Sequence, residues 1–308
     1  MKAPWASDRP LRRRAIKIAA LALGPRWSHT HNWTPFLELR KADGREPGTI
    51  VYRGRKVGRF IPADRLKDKA GAAAIQIIGS GPSVLMMDLS AIAPGSAILL
   101  NGALELIGSQ IERPLAVIIE DERFIWRHFA KFRAKVPPGV PCILSVGVIR
   151  AICEIDAAWF TEREIVLIDD IRKPYHAPKP KLGDLKTRSH VAMSHDGDAG
   201  ISLAPDLGVF QGGSVVISAL QFAIHCRPKS IGLIGIDISN ANEPRFYEGN
   251  GSRAPSGLKR AEGRILSHLL LGRTICASNE IELLNHSPTS VLNRHDFAYD
   301  NRFEKRKT

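Results

Sequence analysis

From about residue 72 onward the chain alternates short apolar runs with stretches of helical spacing. The runs fall at 73–78, 97–100, 115–119, 142–146, 165–168, 230–234 and 281–284. Strands of that length separated by helical segments predict an α/β fold, with a mostly parallel sheet and helices on both faces. The clearest helix spans 214–225, with Ser214 placed to cap its start and Arg227-Pro228 placed to end it. Residues 172–208 break the rhythm with four prolines and many polar positions, and read as an irregular loop or lid. Ahead of the sheet, 11–21 reads as a basic helix with an apolar face, and 49–61 as a β-hairpin turning near Gly54. The predicted organisation is a basic N-terminal extension over 1–70, a single catalytic domain over 71–300, and a basic tail over 301–308.

Charge sharpens this picture. The formal net charge is +13 over 308 residues, gathered in 9–17, 53–69 and 302–307. Such a surface suits polyanionic partners: nucleic acid, an anionic membrane or a phosphorylated glycolipid. Aromatic residues make up 6% of the chain and do not alternate with basic ones in the glycine-rich blocks, which argues against nucleic acid. No apolar run is long enough to span a bilayer, and the apolar stretch 16–23 carries Lys17 and lacks a signal-peptide cleavage pattern. A cytoplasmic protein is expected, with the 11–21 helix either docked on the inner face of the inner membrane or packed on the domain. Cys142, Cys153, Cys226 and Cys276 form no C-x-x-C pair and read as reduced core residues.

Four blocks carry candidate chemistry. Gly79-Ser80-Gly81-Pro82-Ser83 follows a strand, where its glycines permit a sharp turn and free N–H groups beyond them would favour a phosphate. Val84 stands where a dinucleotide fingerprint needs a third glycine, and no Gly-Lys-Ser/Thr follows. Asn101, at the end of the next strand, offers an amide donor and acceptor to a nucleotide. Gly212-Gly213-Ser214 opens the clearest helix as a second anion site. Asp237 ends the strand at 230–234, and Arg245 with Tyr247 suits a carboxylate or a leaving phosphate.

In that order the blocks resemble bacterial CMP-sialic acid sialyltransferases with one Rossmann-like domain. They resemble more closely the lipopolysaccharide-core Kdo transferases of the WaaZ type, a likeness that adds Asp121-Glu122-Arg123-Phe124 and the run from Gly235 to Leu258. The resemblance covers 73–295 apart from 130–200. It implies transfer of Kdo or a related 2-keto acid sugar from a CMP donor to an anionic lipopolysaccharide-core glycolipid, without a cofactor. It implies further that Gly79, Ser80, Gly81, Pro82, Ser83, Asn101, Gly213, Ser214 and Asp237 hold the nucleotide, and that Tyr247 faces the donor phosphate.

The general base stays open at this level. The sialyltransferase resemblance points to His268, whose neighbours look like a helix face. Asp121 lies at a strand end with Arg123 and Arg127 near enough to hold a carboxylate, although 120–122 also reads as an acidic helix start. His286 follows the last apolar run, placed either to touch the donor sugar or a phosphate or carboxylate, or simply to turn the chain. Asp196 and Asp198 have D-x-D spacing but follow no strand, and no metal is expected. The rival readings are a transferase of sialic or another nonulosonic acid, a nicotinamide-dependent oxidoreductase and a basic nucleic-acid-binding protein. The missing third glycine, and Asn101 where an acid is needed, argue against the oxidoreductase.

Overall fold

A computed structural model describes residues 10–40, 47–71, 74–238, 245–247 and 258–305. In chain order come helix α1 (Pro10–Leu21), strands β1 (Leu37–Arg40), β2 (Thr49–Tyr52) and β3 (Arg55–Arg59), α2 (Asp64–Ala70), β4 (Ile75–Ile78), β5 (Ala97–Leu100), β6 (Ala116–Ile119), α3 (Glu122–Lys135), β7 (Cys142–Ser145), α4 (Val146–Asp156) and β8 (Ile165–Ile168). Then follow α5 (Leu182–Lys186), β9 (Val191–Met193), β10 (Gly200–Ser202), α6 (Val215–His225), β11 (Ser230–Ile234), α7 (Leu258–Ser278), β12 (Glu282–Asn285) and β13 (Ala298–Tyr299).

The main sheet has eight strands in the order β13-β12-β11-β4-β5-β6-β7-β8. Every neighbouring pair in it is parallel. This is a Rossmann-like α/β architecture, as the spacing of the apolar runs predicts. Its central strands are almost wholly apolar because both faces are covered. Successive residues point to opposite layers. Ile78, Leu99, Val117, Ile119 and Leu144 meet α3 and α4 on one face. Ile77, Ile98, Leu100, Ile118 and Ile143 meet α6 and α7 on the other. All four cysteines are free and buried within these layers. Burial pushes the thiols of Cys142, Cys153, Cys226 and Cys276 up to about 12.

Two expectations change. The N-terminal segment is not an appendage: β1, β2 and β3 form a small antiparallel sheet whose Leu37, Leu39, Ile50 and Tyr52 join the same core as the main sheet. Phe60 bridges Ile165 at the β8 edge, and Gly58 lies against Phe160. The hairpin turn is where the spacing puts it, with Arg53 at φ 50° and Gly54 at φ 76°. Most of the stretch 172–208 is without regular structure, as the broken rhythm suggests, but part of it is built. It holds α5 and the β9–β10 hairpin, packed around Ile171, Leu185 and Phe210. The buried Gln221 of α6 fastens the hairpin, accepting from Ser202 N–H (2.9 Å) and Phe210 N–H (3.0 Å) and donating to the Phe210 carbonyl (2.9 Å). The described part of the C-terminal tail is mostly exposed, but Phe303 is buried and Glu304 bridges Met87. Arg306 and Lys307 lie outside the described residues, as do Ala73, Glu248 and 254–257.

Candidate functional site

The strand order reverses between β4 and β11. Beyond β4 the chain steps outward to β8, and it returns beside β4 as β11. Connections leave in opposite directions from these two strands, and ligands of open parallel sheets bind in the resulting crevice at the carboxyl ends. A cleft of about 1300 Å³ lies there. It draws residues from the ends of β4, β5, β6, β7, β8 and β11, from the starts of α6 and α7, and from α1 and the segment after it.

The turn after β4 lines the cleft with Gly79, Ser80, Gly81 and Pro82, but not for the reason that the motif suggests. Gly79 N–H donates to the Ile234 carbonyl (2.7 Å), and Gly81 N–H donates to the Gly235 carbonyl (3.0 Å). A side chain on Gly79 would strike Gly235, and one on Gly81 would strike Asp237. The glycines let β4 and β11 close upon each other; their N–H groups face protein. Only a 3₁₀ turn, Pro82–Met86, follows, so no α-helix aims its N-terminus here. Ser83 is buried and points away from the cleft. Its N–H (2.8 Å) and hydroxyl (2.9 Å) both donate to Asp237, and the hydroxyl of Ser287 accepts from Gly235 N–H (2.8 Å). Asp237 lines the cleft while clamping this turn in place.

The start of α6 has the geometry to receive an anion. Ser214 adopts the extended conformation of a cap, yet its side chain makes no capping bond. The first-turn N–H groups beside Ser214 and Val215 therefore face the cleft with the positive end of the helix dipole. Gly213 sits at φ 99°, a left-handed conformation that glycine tolerates, and the Arg264 guanidinium of α7 packs onto it. Arg264 Nε donates to the Gly212 carbonyl at 3.2 Å and lines the cleft.

At the end of β5, Asn101 is also left-handed, with φ 47°. Its buried Oδ1 has no partner among the described residues, although the residue lines the cleft. A buried acceptor is ordinarily hydrogen-bonded, which marks Asn101 as a candidate ligand contact. Tyr247 packs into the space that Gly102 leaves, its hydroxyl accepts from Arg245 Nη1 (2.9 Å), and Lys131 lies 5.9 Å above its ring. The sequence-predicted set Gly79–Pro82, Asn101, Gly213, Ser214, Asp237 and Arg245 thus meets around one cleft, with Tyr247 behind Asn101-Gly102.

The end of β6 places two carboxyls at the cleft. Glu120, directly after the strand, lines the cleft and accepts a hydrogen bond from the Ser218 hydroxyl of α6. Burial pushes its carboxyl up; the Ser218 bond opposes this, Asp170 and Asp121 add to it, and the carboxyl reaches about 7. Asp121 is a different group. Burial raises its carboxyl, but Arg123 and then Arg13 more than offset this and hold it below the ordinary value. It caps α3 by accepting from Arg123 N–H at 2.9 Å, and it ion-pairs with the Arg123 guanidinium. It orients Arg123 at the cleft more readily than it takes a proton. Glu120 was hidden in the sequence by its neighbour: the strand-end rule that selects Asn101 and Asp237 also selects Glu120, one position before Asp121.

The outer wall is basic, with Arg13, Lys17, Arg123, Arg127 and Lys173 lining it. It is held by Arg150 of α4, which is 2% exposed. Arg150 donates to Glu122 (2.6 Å) and to the His31 carbonyl (2.8 Å), and lies 3.7 Å from Glu154. From the other side Arg13 of α1 reaches Glu122 at 2.7 Å, and Arg12 pairs with Glu154. No sequence signal marks Arg13, Lys17 or Arg264 as cleft residues, because distant elements bring them in.

The two histidines point elsewhere. His268 is 1% exposed, packs on Gly212 and Phe210, and donates from Nδ1 to the Arg264 carbonyl four residues back (2.8 Å). His286 is equally buried, donates from Nδ1 to the Asp300 carbonyl (2.7 Å) and meets the Phe303 ring. Burial lowers both below the usual imidazole value, and neither lines the cleft. Asp196 and Asp198 form the exposed turn of the β9–β10 hairpin, where Asp196 accepts from Asp198 N–H (3.0 Å). Among the described residues no group of three or more His, Cys, Asp or Glu side chains is arranged to hold a metal ion.

No family model and no curated protein matches the chain. Among solved structures it is similar to the sialyltransferase CstII from Campylobacter jejuni with the substrate analogue CMP-3FNeuAc, at 13% identity over 77% of this chain and 90% of that one, with a TM-score of 0.39. The same enzyme with cytidine-5′-monophosphate gives 13% identity over 77% and 91%, with a TM-score of 0.32. An apo α-2,3-sialyltransferase from the same organism gives 14% identity over 78% and 87%, with a TM-score of 0.28. At such scores these similarities carry no argument about chemistry, which the geometry of the cleft must supply.

Proposed function

We propose that this protein is a glycosyltransferase that moves Kdo or a related 2-keto acid sugar from its CMP donor to an anionic lipopolysaccharide-core acceptor. The observation that carries this reading is Glu120: a carboxyl able to exchange a proton near neutrality, set in a cleft between a helix N-terminus and a basic wall. The nucleotide base and ribose lie toward Asn101 and the clamped turn. The phosphate lies at the α6 N-terminus beside Arg264, and the basic wall takes the carboxylate of the sugar and the charges of the acceptor. In the reaction the acceptor hydroxyl oxygen bonds to the anomeric carbon as the bond from that carbon to the phosphate oxygen breaks. CMP leaves with the electron pair, and the hydroxyl proton passes to Glu120. Fixed donors at α6 and Arg264 stabilise the departing negative charge.

The test is calorimetric titration with CMP, followed by CMP release from CMP-Kdo in the presence of a core acceptor. Absence of both binding and release rules the reading out. CMP-Kdo and CMP-sialic acid in competition identify the sugar, and release from CMP-sialic acid alone replaces Kdo with sialic acid. Arg264→Ala is expected to weaken CMP binding by roughly 10–100-fold, since a hydrogen bond to a charged group is worth about 1.5–3 kcal/mol. Arg264→Lys should recover part of it. An unchanged CMP affinity in both variants removes the phosphate from the α6 site.

A further inference from the structure

Helix α1 is built inside out. Successive residues of an α-helix turn by about 100°, so Leu11, Arg14, Ala15, Ile18 and Leu21 share one face, with Arg12, Arg13, Ile16 and Ala20 opposite. In a helix that merely packs on a domain the apolar face turns inward. Here the charged face does so: Arg12 pairs with Glu154, Arg13 pairs with Glu122, and Ala20 is buried between domain and helix. The apolar face looks out, with Leu11 80% exposed, Ile18 68% and Leu21 63%, and in the turn after the helix Leu23 is 59% exposed. These four are among the most exposed large apolar side chains of the described residues. Arg14 sits inside the stripe and is exposed, Lys17 flanks it on the cleft side, and the chain as a whole carries +13.

We infer that the outward face of α1 docks on an anionic bilayer surface, with Leu11, Ile18, Leu21 and Leu23 entering the headgroup boundary and Arg14 and Lys17 meeting lipid phosphates. The occupant follows from charge and shape together. A convex apolar stripe with cations in it and beside it fits a flat, apolar, negatively charged surface. A second copy of this chain would bring Arg14 and Lys17 against their own kind. The docking itself needs nothing from the transferase reading, but its purpose rests on that reading. Arg13 and Lys17 stand on the same helix and line the cleft, so a docked α1 places the cleft mouth at the membrane, where a lipid-anchored acceptor is presented.

The test is co-sedimentation of the full chain with vesicles of phosphatidylethanolamine and phosphatidylglycerol, against vesicles of phosphatidylcholine. The comparison variant is the triple change Leu11→Ser, Ile18→Ser, Leu21→Ser, which touches exposed positions only and should melt as the wild type does. The expected result is binding to the anionic vesicles, weakened at least tenfold in the triple variant and reduced by high salt, with CMP titration unchanged. A wild-type chain that stays in the supernatant, a triple variant that binds equally well, or equal binding to neutral vesicles overturns the inference. So does a dimer, seen by analytical ultracentrifugation, that the triple change dissolves while vesicle binding is absent. CMP is titrated without lipid, so failure of the docking and failure of the transferase reading appear in different measurements.

Discussion

Glu120→Gln lowers sugar transfer by about 10²–10⁴-fold, the usual contribution of a positioned general base, while CMP binding stays close to wild type. Gln keeps the shape and can still accept from the Ser218 hydroxyl, so the change removes proton acceptance and little else. The pH profile gives a second readout. Glu120 must be ionised to take the acceptor proton, so transfer should rise with pH and level off above about 7. Stability runs the other way. The folded carboxyl holds its proton up to about 7 and the unfolded one releases it near 4.5, so the native state binds more protons across that window. Stability falls as pH rises through it, and Glu120→Gln should be as stable as the wild type or more so at pH 8. A variant that loses activity and stability together at pH 8 assigns Glu120 a structural role. A variant with full activity removes it from the reaction.

Arg150→Met has the largest expected effect on folding. Arg150 is buried, and its guanidinium serves Glu122, Glu154 and two backbone carbonyls, those of His31 and Thr34. Removing one member of a buried ion network leaves the others desolvated and unpaired, which costs about 3–5 kcal/mol. Thermal unfolding should move down by on the order of 10 °C. Limited proteolysis should show early cutting at the Gly24–Trp27 link, because α1 is tied to the domain through the same carboxylates. The double variant Arg150→Met, Glu122→Gln should recover part of the loss by removing one stranded charge. A loss below about 1 kcal/mol would mean that Arg12 and Arg13 suffice to hold the two glutamates.

The central strands were legible because a parallel sheet buried on both faces needs uninterrupted apolar runs. β5, β8 and β11 run where those runs predict. The shortest strands were not, since β9 and β10 have three residues each and β13 two, too short for any period to register. The same division holds in the cleft. Asn101, Gly213 and Asp237 follow from strand ends and a helix start, which are local features. The role of Gly79 and Gly81 does not, because the groups that crowd them, Gly235 and Asp237, lie more than 150 positions away in the chain. A glycine turn reads alike in sequence whether it makes room for a ligand or for another strand. The histidines misled for a related reason: burial behind Gly212 and beside Phe303 is invisible until the helices and the tail are packed.

The turn clamped by Ser83, Asp237 and Ser287 joins the ends of β4, β11 and β12, all elements of the central sheet. The opposite wall hangs on α1 and on long cationic side chains. The two ends of the cleft therefore differ in construction as well as charge. One end is fixed by the sheet itself. The other is a row of long cationic side chains, with Arg13 and Arg123 tied to carboxylates. Changes at Arg13 or Lys17 would thus alter the basic end while leaving the clamped end untouched.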